Sequence, residues 1–237
     1  MAVVTPALLL ALDVPSAAEA LSLVDRFEGR CSFYKVGLEL FTAVGPSLLA
    51  TLRARRVEVF LDLKLHDIPN TVRQAARRAA AHDVRLLTVH ASGGEAMLAA
   101  AVDGAGEGCG ILGVTVLTSL APAELAEAWG RGPWIDVKAE VLRLAELADA
   151  AGAHGVVCSG AELSAVVQKF EGRLAPLVPG VRPAGAVAND QVRIVTPESA
   201  AAQGARYLIL GRAVTEASDP LGAWDAIAAA VTMASPP

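Results

Sequence analysis

Short apolar runs recur along the chain, separated by segments rich in Ala, Glu and Arg. Eight runs read as strands, at 8–12, 33–36, 57–63, 86–90, 111–117, 155–158, 174–178 and 207–210, because each is brief and apolar. The segments between them repeat apolar residues at three- and four-residue spacing, as a helix with one buried face requires; 17–27, 39–53, 71–81 and 137–150 are examples. Strand–helix alternation repeated eight times predicts an α/β fold with parallel strands. At 237 residues it predicts a closed (β/α)8 TIM barrel, a single domain over 1–237. An open doubly wound sheet fits the same alternation, because closure is not written in local pattern. No GxGxxG follows the first strand, which disfavours a dinucleotide fold. Residues 122–134 read as a short extra helix, and 179–197 as a long polar connection after the seventh strand, of the kind that holds or covers a ligand.

Composition narrows the function classes. With 54% hydrophobic and 19% charged residues, the chain has the make-up of a packed globular protein rather than a disordered one. A net charge of -5 and the lack of any Lys/Arg run argue against a nucleic-acid surface, so an anionic ligand would need a local positive site. Cys31, Cys109 and Cys158 are odd in number, far apart and beside apolar runs, which predicts buried thiols in a reducing compartment. The four histidines show no HxxxH or HExxH spacing, and no metal site is predicted. The apolar run at 7–12 lacks a preceding Lys or Arg and stops at Asp13, and no stretch approaches the roughly 20 apolar residues of a membrane span. A cytoplasmic protein without membrane association is expected.

The polar residues fall where such a barrel carries its chemistry. Asp13 ends the first strand, Lys35 lies within the end of the second, and Asp62 and Lys64 end the third. His90, Thr118-Ser119, Ser159, Pro179-Gly180 and Gly211-Arg212 mark the ends of the remaining five. Along the third run Val57, Val59 and Leu61 alternate with Glu58, Phe60 and Asp62, and a period of two puts Asp62 and Lys64 on one face, roughly 6.5 Å apart along the strand. Charges are rarely buried unless paired or functional. Any one strand-end residue serves equally as a helix cap; Asp13, Lys35, Asp62 and Lys64 together point to a site.

Gly211-Arg212 after the eighth strand suggests phosphate binding through backbone N–H groups and a charge-assisted guanidinium contact, though a tight turn with a solvated Arg212 fits as well. Arg182, Gln191 and Arg193 in the long connection are further phosphate candidates. His90 reads as a hydrogen-bonded core histidine, whereas His66 is open between core and site.

These motifs carry a resemblance. Leu10-Ala11-Leu12-Asp13, Tyr34-Lys35-Val36-Gly37, the run Asp62-Leu63-Lys64-Leu65-His66-Asp67-Ile68-Pro69-Asn70-Thr71, Val114-Thr115-Val116-Leu117-Thr118-Ser119, Pro179-Gly180-Val181-Arg182-Pro183, Asn189-Asp190-Gln191-Val192-Arg193 and Leu210-Gly211-Arg212 occur in family order over almost the whole chain. In them the chain resembles the bacterial orotidine 5′-monophosphate decarboxylases, departing at Asn189, where that family often has an acid. The DxKxxD core is shared with sugar-phosphate decarboxylases and synthases; the following Ile-Pro-Asn-Thr, the Gln191 loop and the Gly-Arg end are more specific.

The resemblance implies a TIM barrel that converts orotidine 5′-monophosphate to UMP and CO2 in pyrimidine biosynthesis, with no metal or organic cofactor. It further implies that Lys64 stabilises and protonates the carbanion within a Lys35/Asp62/Lys64/Asp67 charge array. Asp13 and Lys35 would meet the ribose, Thr118 and Ser119 the pyrimidine, and Arg182, Gln191, Gly211 and Arg212 the phosphate. Ile68 and Thr71 join the substrate-binding set, and Asp67 and Thr71 would reach the neighbouring subunit's site in a homodimer. Two other readings fit parts of the pattern: a metal-dependent keto-sugar-phosphate lyase of the same barrel type, and a non-catalytic nucleotide-phosphate-binding barrel.

Overall fold

The computed structural model describes residues 5–132, 135–183 and 195–235. Strand β1 (Ala7–Ala11) leads into α1 (Ala17–Arg26), β2 (Phe33–Gly37), the short helices α2 (Leu38–Val44) and α3 (Ser47–Ala54), and β3 (Glu58–Leu65). Then follow α4 (Pro69–Ala80), β4 (Leu86–His90), α5 (Glu95–Ala105), β5 (Gly110–Val114), α6 (Pro122–Ala128), α7 (Val137–Ala150), β6 (Gly155–Val157) and α8 (Gly160–Phe170). The last elements are β7 (Ala175–Val178), α9 (Pro197–Ala202), β8 (Tyr207–Leu210), α10 (Arg212–Thr215) and α11 (Pro220–Ala234). The strands pair in chain order, all parallel, and β8 returns to β1 with Tyr207 opposite Ala7 and Leu210 opposite Leu10. The sheet is a closed eight-stranded barrel, and the open doubly wound alternative is excluded.

Two apolar layers hold it together. Alternate strand residues point inward, and Leu9, Phe33, Phe60, Leu86, Leu112, Leu177 and Ile209 fill the barrel's interior. Their neighbours, including Leu10, Tyr34, Leu61, Leu87 and Leu208, pack outward against the helices in a much larger cluster. Two residues beyond Phe33, Phe60 and Leu86, the same inward period arrives at Lys35, Asp62 and Thr88. The interior packing therefore aims these polar side chains at the C-terminal mouth.

Side-chain caps fix where several helices start. Ser16 accepts from the Glu19 amide ahead of α1, Asp136 from Ala139 ahead of α7, and Asp219 from Gly222 ahead of α11.

Several boundaries differ from the sequence pattern. The helix expected over 39–53 is broken into α2 and α3 by Gly45, at φ +71°, and Pro46, which has no N–H to continue the ladder. The strand expected over 111–117 ends at Val114, and Val116 and Leu117 line a cavity. The extra helix stops at Ala128, followed by Gly130 at φ +59°. The connection from 179 onward begins with a parallel bridge between Val181 and Val195, closed by the Arg182 amide donating to the Val195 carbonyl at 3.0 Å.

Candidate active site

A cavity of about 830 Å³ opens at the C-terminal mouth of the barrel. Its floor is the top of the inward apolar layer (Phe60, Leu177 and Ile209), and its walls carry the strand-end residues. Asp13, Lys35, Asp62, Lys64, Thr118, Ser119, Arg182, Gly211 and Arg212 all line it. Among the described residues, five cations (Arg26, Lys35, Lys64, Arg182 and Arg212) and four carboxylates (Asp13, Glu19, Asp62 and Glu216) line it. This acidic chain thus places a cluster of cations where an anion would enter.

Two ion pairs line the walls. Lys35, buried to 7% exposure, donates to Asp13 Oδ1 at 2.6 Å. Lys64 Nζ lies 2.8 Å from both carboxylate oxygens of Asp62, with the Lys64 side chain 30% and the Asp62 side chain 14% exposed. The pair is half-sunk, and Lys64 still lines the cavity.

The backbone beneath the second pair is not a regular strand. Lys64 has φ +49°, a conformation rare outside glycine, Asn and Asp. Between Leu61, paired with Leu87, and Leu65, paired with Val89, β3 takes four steps while β4 takes two. Asp62 and Lys64 meet as the alternation predicts, but through a bulge rather than by simple alternation. Bulges of this kind re-aim side chains next to active sites.

Asp67, Ile68 and Thr71 do not join the cavity of this chain. All three are exposed, Ile68 to 67%, and the Asp67 carboxylate accepts from the Ile68 amide at 2.6 Å. They sit at and just before the start of α4, and none of them lines the cavity. Gln191 and Arg193 lie outside the described residues. Arg182 is buried to 8% exposure against the cavity, and its Nε has no hydrogen-bond partner among the described residues. A guanidinium N–H held dry and unpaired beside a cavity is suited to an anion.

His90 is only half-buried, and its ring lies 5.5 Å from that of the exposed His66. Burial, then His66 and Lys64, hold the His90 pKa below its ordinary value. Neither ring lines the cavity. The three cysteines are buried free thiols, as expected, and burial raises the Cys109 pKa to about 11.

Sequence reasoning passed over Thr88, which is fully buried and hydrogen-bonded to both Asp62 and the Lys64 backbone. The signal was present in the alternation of Leu86, Thr88 and His90. It was overlooked because threonine is an ordinary strand residue. Glu19, Ser22 and Arg26, which reach the cavity from α1, carry no such signal.

The closed barrel with a lysine–aspartate pair at its C-terminal mouth defines a (β/α)8 protein of the kind that binds small anionic ligands at that rim. Comparison with known proteins makes this specific. Residues 6–227 match the model of the orotidine 5'-phosphate decarboxylase / HUMPS family, and the chain belongs to that family. It is 49% identical over 232 residues to the orotidine 5'-phosphate decarboxylase of Halorhodospira halophila, covering 97% of each chain. It is likewise 49% identical over 219 residues to that of Anaeromyxobacter sp. strain K, covering 92% of this chain and 95% of the relative. The crystal structure of orotidine 5'-phosphate decarboxylase from Lactobacillus acidophilus superposes with a TM-score of 0.83 at 34% identity, over 95% of this chain and 99% of that one.

Proposed function

We propose that this protein is a carboxy-lyase that converts orotidine 5′-phosphate to UMP and CO2. The observation that carries the reading is the Lys64 ammonium, 2.8 Å from both Asp62 oxygens and open to the cavity, in a chain 49% identical to relatives with that activity in their names.

The chemical difficulty fits the site. When the bond from C6 to the carboxyl carbon breaks, its electron pair stays on C6 in an sp² orbital that the ring does not delocalise. Stabilisation must come from charge already in place. Lys64 supplies it, then transfers a proton from Nζ to C6 and recovers one from solvent. Asp62 keeps Lys64 oriented and faces the departing carboxylate. Lys35 and Asp13 hold the ribose hydroxyls, and Thr118 and Ser119 the pyrimidine edge. Gln191, Gly211, Arg212 and Arg182 hold the phosphate, and the spare Nε of buried Arg182 supports that assignment. Binding energy gained at the phosphate is then available to hold the charged site assembled.

The protein acts as a homodimer in the cytoplasm, with Asp67, Ile68 and Thr71 of each subunit completing the other's site. The exposure of these residues and their position outside their own cavity support that arrangement. The reaction uses no metal and no organic cofactor.

The test is to add purified protein to orotidine 5′-phosphate with a chelator present, following ring absorbance and product. Loss of the substrate band with UMP appearing is the expected result. Binding of UMP without turnover would instead identify a nucleotide-phosphate-binding barrel, and chelator-sensitive cleavage of a keto-sugar phosphate would identify a lyase of the related type.

A further inference from the structure

We infer that Thr88 is a positioning residue for the decarboxylation proposed above, and that its hydroxyl, not its methyl group, holds the Asp62–Lys64 pair in its working geometry. The inference rests on that functional reading.

Thr88 sits in the middle of β4, directly across from the bulge of β3, and has no exposed surface. Its Oγ1 donates to Asp62 Oδ1 at 2.9 Å and accepts from the Lys64 amide at 2.9 Å. One hydroxyl thus uses its single proton on the carboxylate and a lone pair on the backbone of the catalytic lysine.

Both contacts have work to do. The bulge removes Asp62, Leu63 and Lys64 from the regular ladder with β4, since pairing jumps from Leu61 to Leu65. The Lys64 N–H therefore needs another acceptor, and the Thr88 side chain is that acceptor. The left-handed backbone of Lys64 is costly for a side-chain-bearing residue and persists only where its surroundings enforce it. The hydroxyl also fixes the carboxylate plane of Asp62, so that both oxygens present to Lys64 Nζ at 2.8 Å. A carboxylate released from Thr88 would rotate about its own bonds and carry the ammonium with it. Thr88 does not line the cavity, so it acts through these two residues and not on substrate.

A hydroxyl-specific effect on turnover is expected. In Thr88→Val, which keeps the shape and removes the O–H, kcat should fall at least about tenfold while KM stays within about threefold. In Thr88→Ser, which keeps the O–H and removes the methyl, kcat should stay within about threefold of the parent. If Thr88→Val does not fold, the pair Thr88→Ser and Thr88→Ala makes the same comparison, since both lack the methyl and only one has the hydroxyl. Equal kcat in the variants with and without the hydroxyl would overturn the inference, as would a loss appearing in KM alone. The parent protein measured alongside separates the two claims. A parent that does not decarboxylate refutes the functional reading, whereas an active parent matched by Thr88→Val refutes only the role of Thr88.

Discussion

At the scale of single residues, the site is assembled from side chains whose freedom has been removed by their neighbours. Gly37 shows how close the packing runs. Its φ of -92° suits any residue, so only space forbids a side chain there. A Cβ at this position would lie 2.9 Å from Lys35 Nζ and 3.1 Å from Asp13 Oδ1. Those are the two ends of the ion pair assigned to the ribose. Gly37→Ala should therefore lower kcat/KM about tenfold while changing stability by less than about 1 kcal/mol, read by steady-state kinetics beside urea unfolding. Unchanged kinetics would mean that the Lys35–Asp13 geometry is unimportant. The residues of this layer were legible in sequence to the extent that charge stands out in an apolar run. Asp13, Lys35, Asp62 and Lys64 did so. Thr88 did not, because a hydroxyl in a strand is unremarkable until its partners across the bulge are known. The bulge itself was illegible, since a positive φ at lysine is imposed by tertiary contacts and has no residue signature.

At the scale of elements, the alternation of strands and helices was readable because periodicity reports burial, and burial here follows the barrel. Boundaries were missed where apolar residues served another purpose. Val116 and Leu117 extended an apparent strand because a cavity wall is also apolar, and 39–53 looked continuous because the buried face runs through the Gly45-Pro46 break. The contact of α4 with α5 was equally unreadable. Gly104 of α5 lies so close to α4 that a Cβ would come within 2.2 Å of the Arg73 carbonyl oxygen. Alanine in an exposed helix is worth up to about 1 kcal/mol over glycine, but overpacking against backbone costs about 1–3 kcal/mol. The clash should win. Gly104→Ala is expected to destabilise the fold by up to about 2 kcal/mol in urea unfolding, the difference of those terms. A stabilised variant would show that the two helices separate at little cost.

At the scale of the whole molecule, the barrel gives a working division: apolar layers below and a charged mouth above. The mouth of one chain lacks Asp67, Ile68 and Thr71, which stand exposed at the start of α4. In the proposed dimer these residues complete the partner's site, so two different defects should complement. Asp62→Ala and Asp67→Ala subunits, each inactive alone, should on mixing recover about a quarter of the parent rate, because half of the dimers then hold one intact site. No recovery, with hybrid dimers demonstrated by mass spectrometry, would rule out the shared site. Composite sites are not written in the periodicity of one chain; the resemblance of the 62–71 motif to its family was the only sequence signal.

In the proposed function the Asp62–Lys64 pair performs the decarboxylation. The direct measurement is turnover of orotidine 5′-phosphate by the parent protein and Lys64→Ala side by side, in chelator, with both shown to be folded. Metal-independent conversion to UMP by the parent, and a loss of at least about a thousandfold in Lys64→Ala, is the predicted result. Parent-like turnover by folded Lys64→Ala would contradict it.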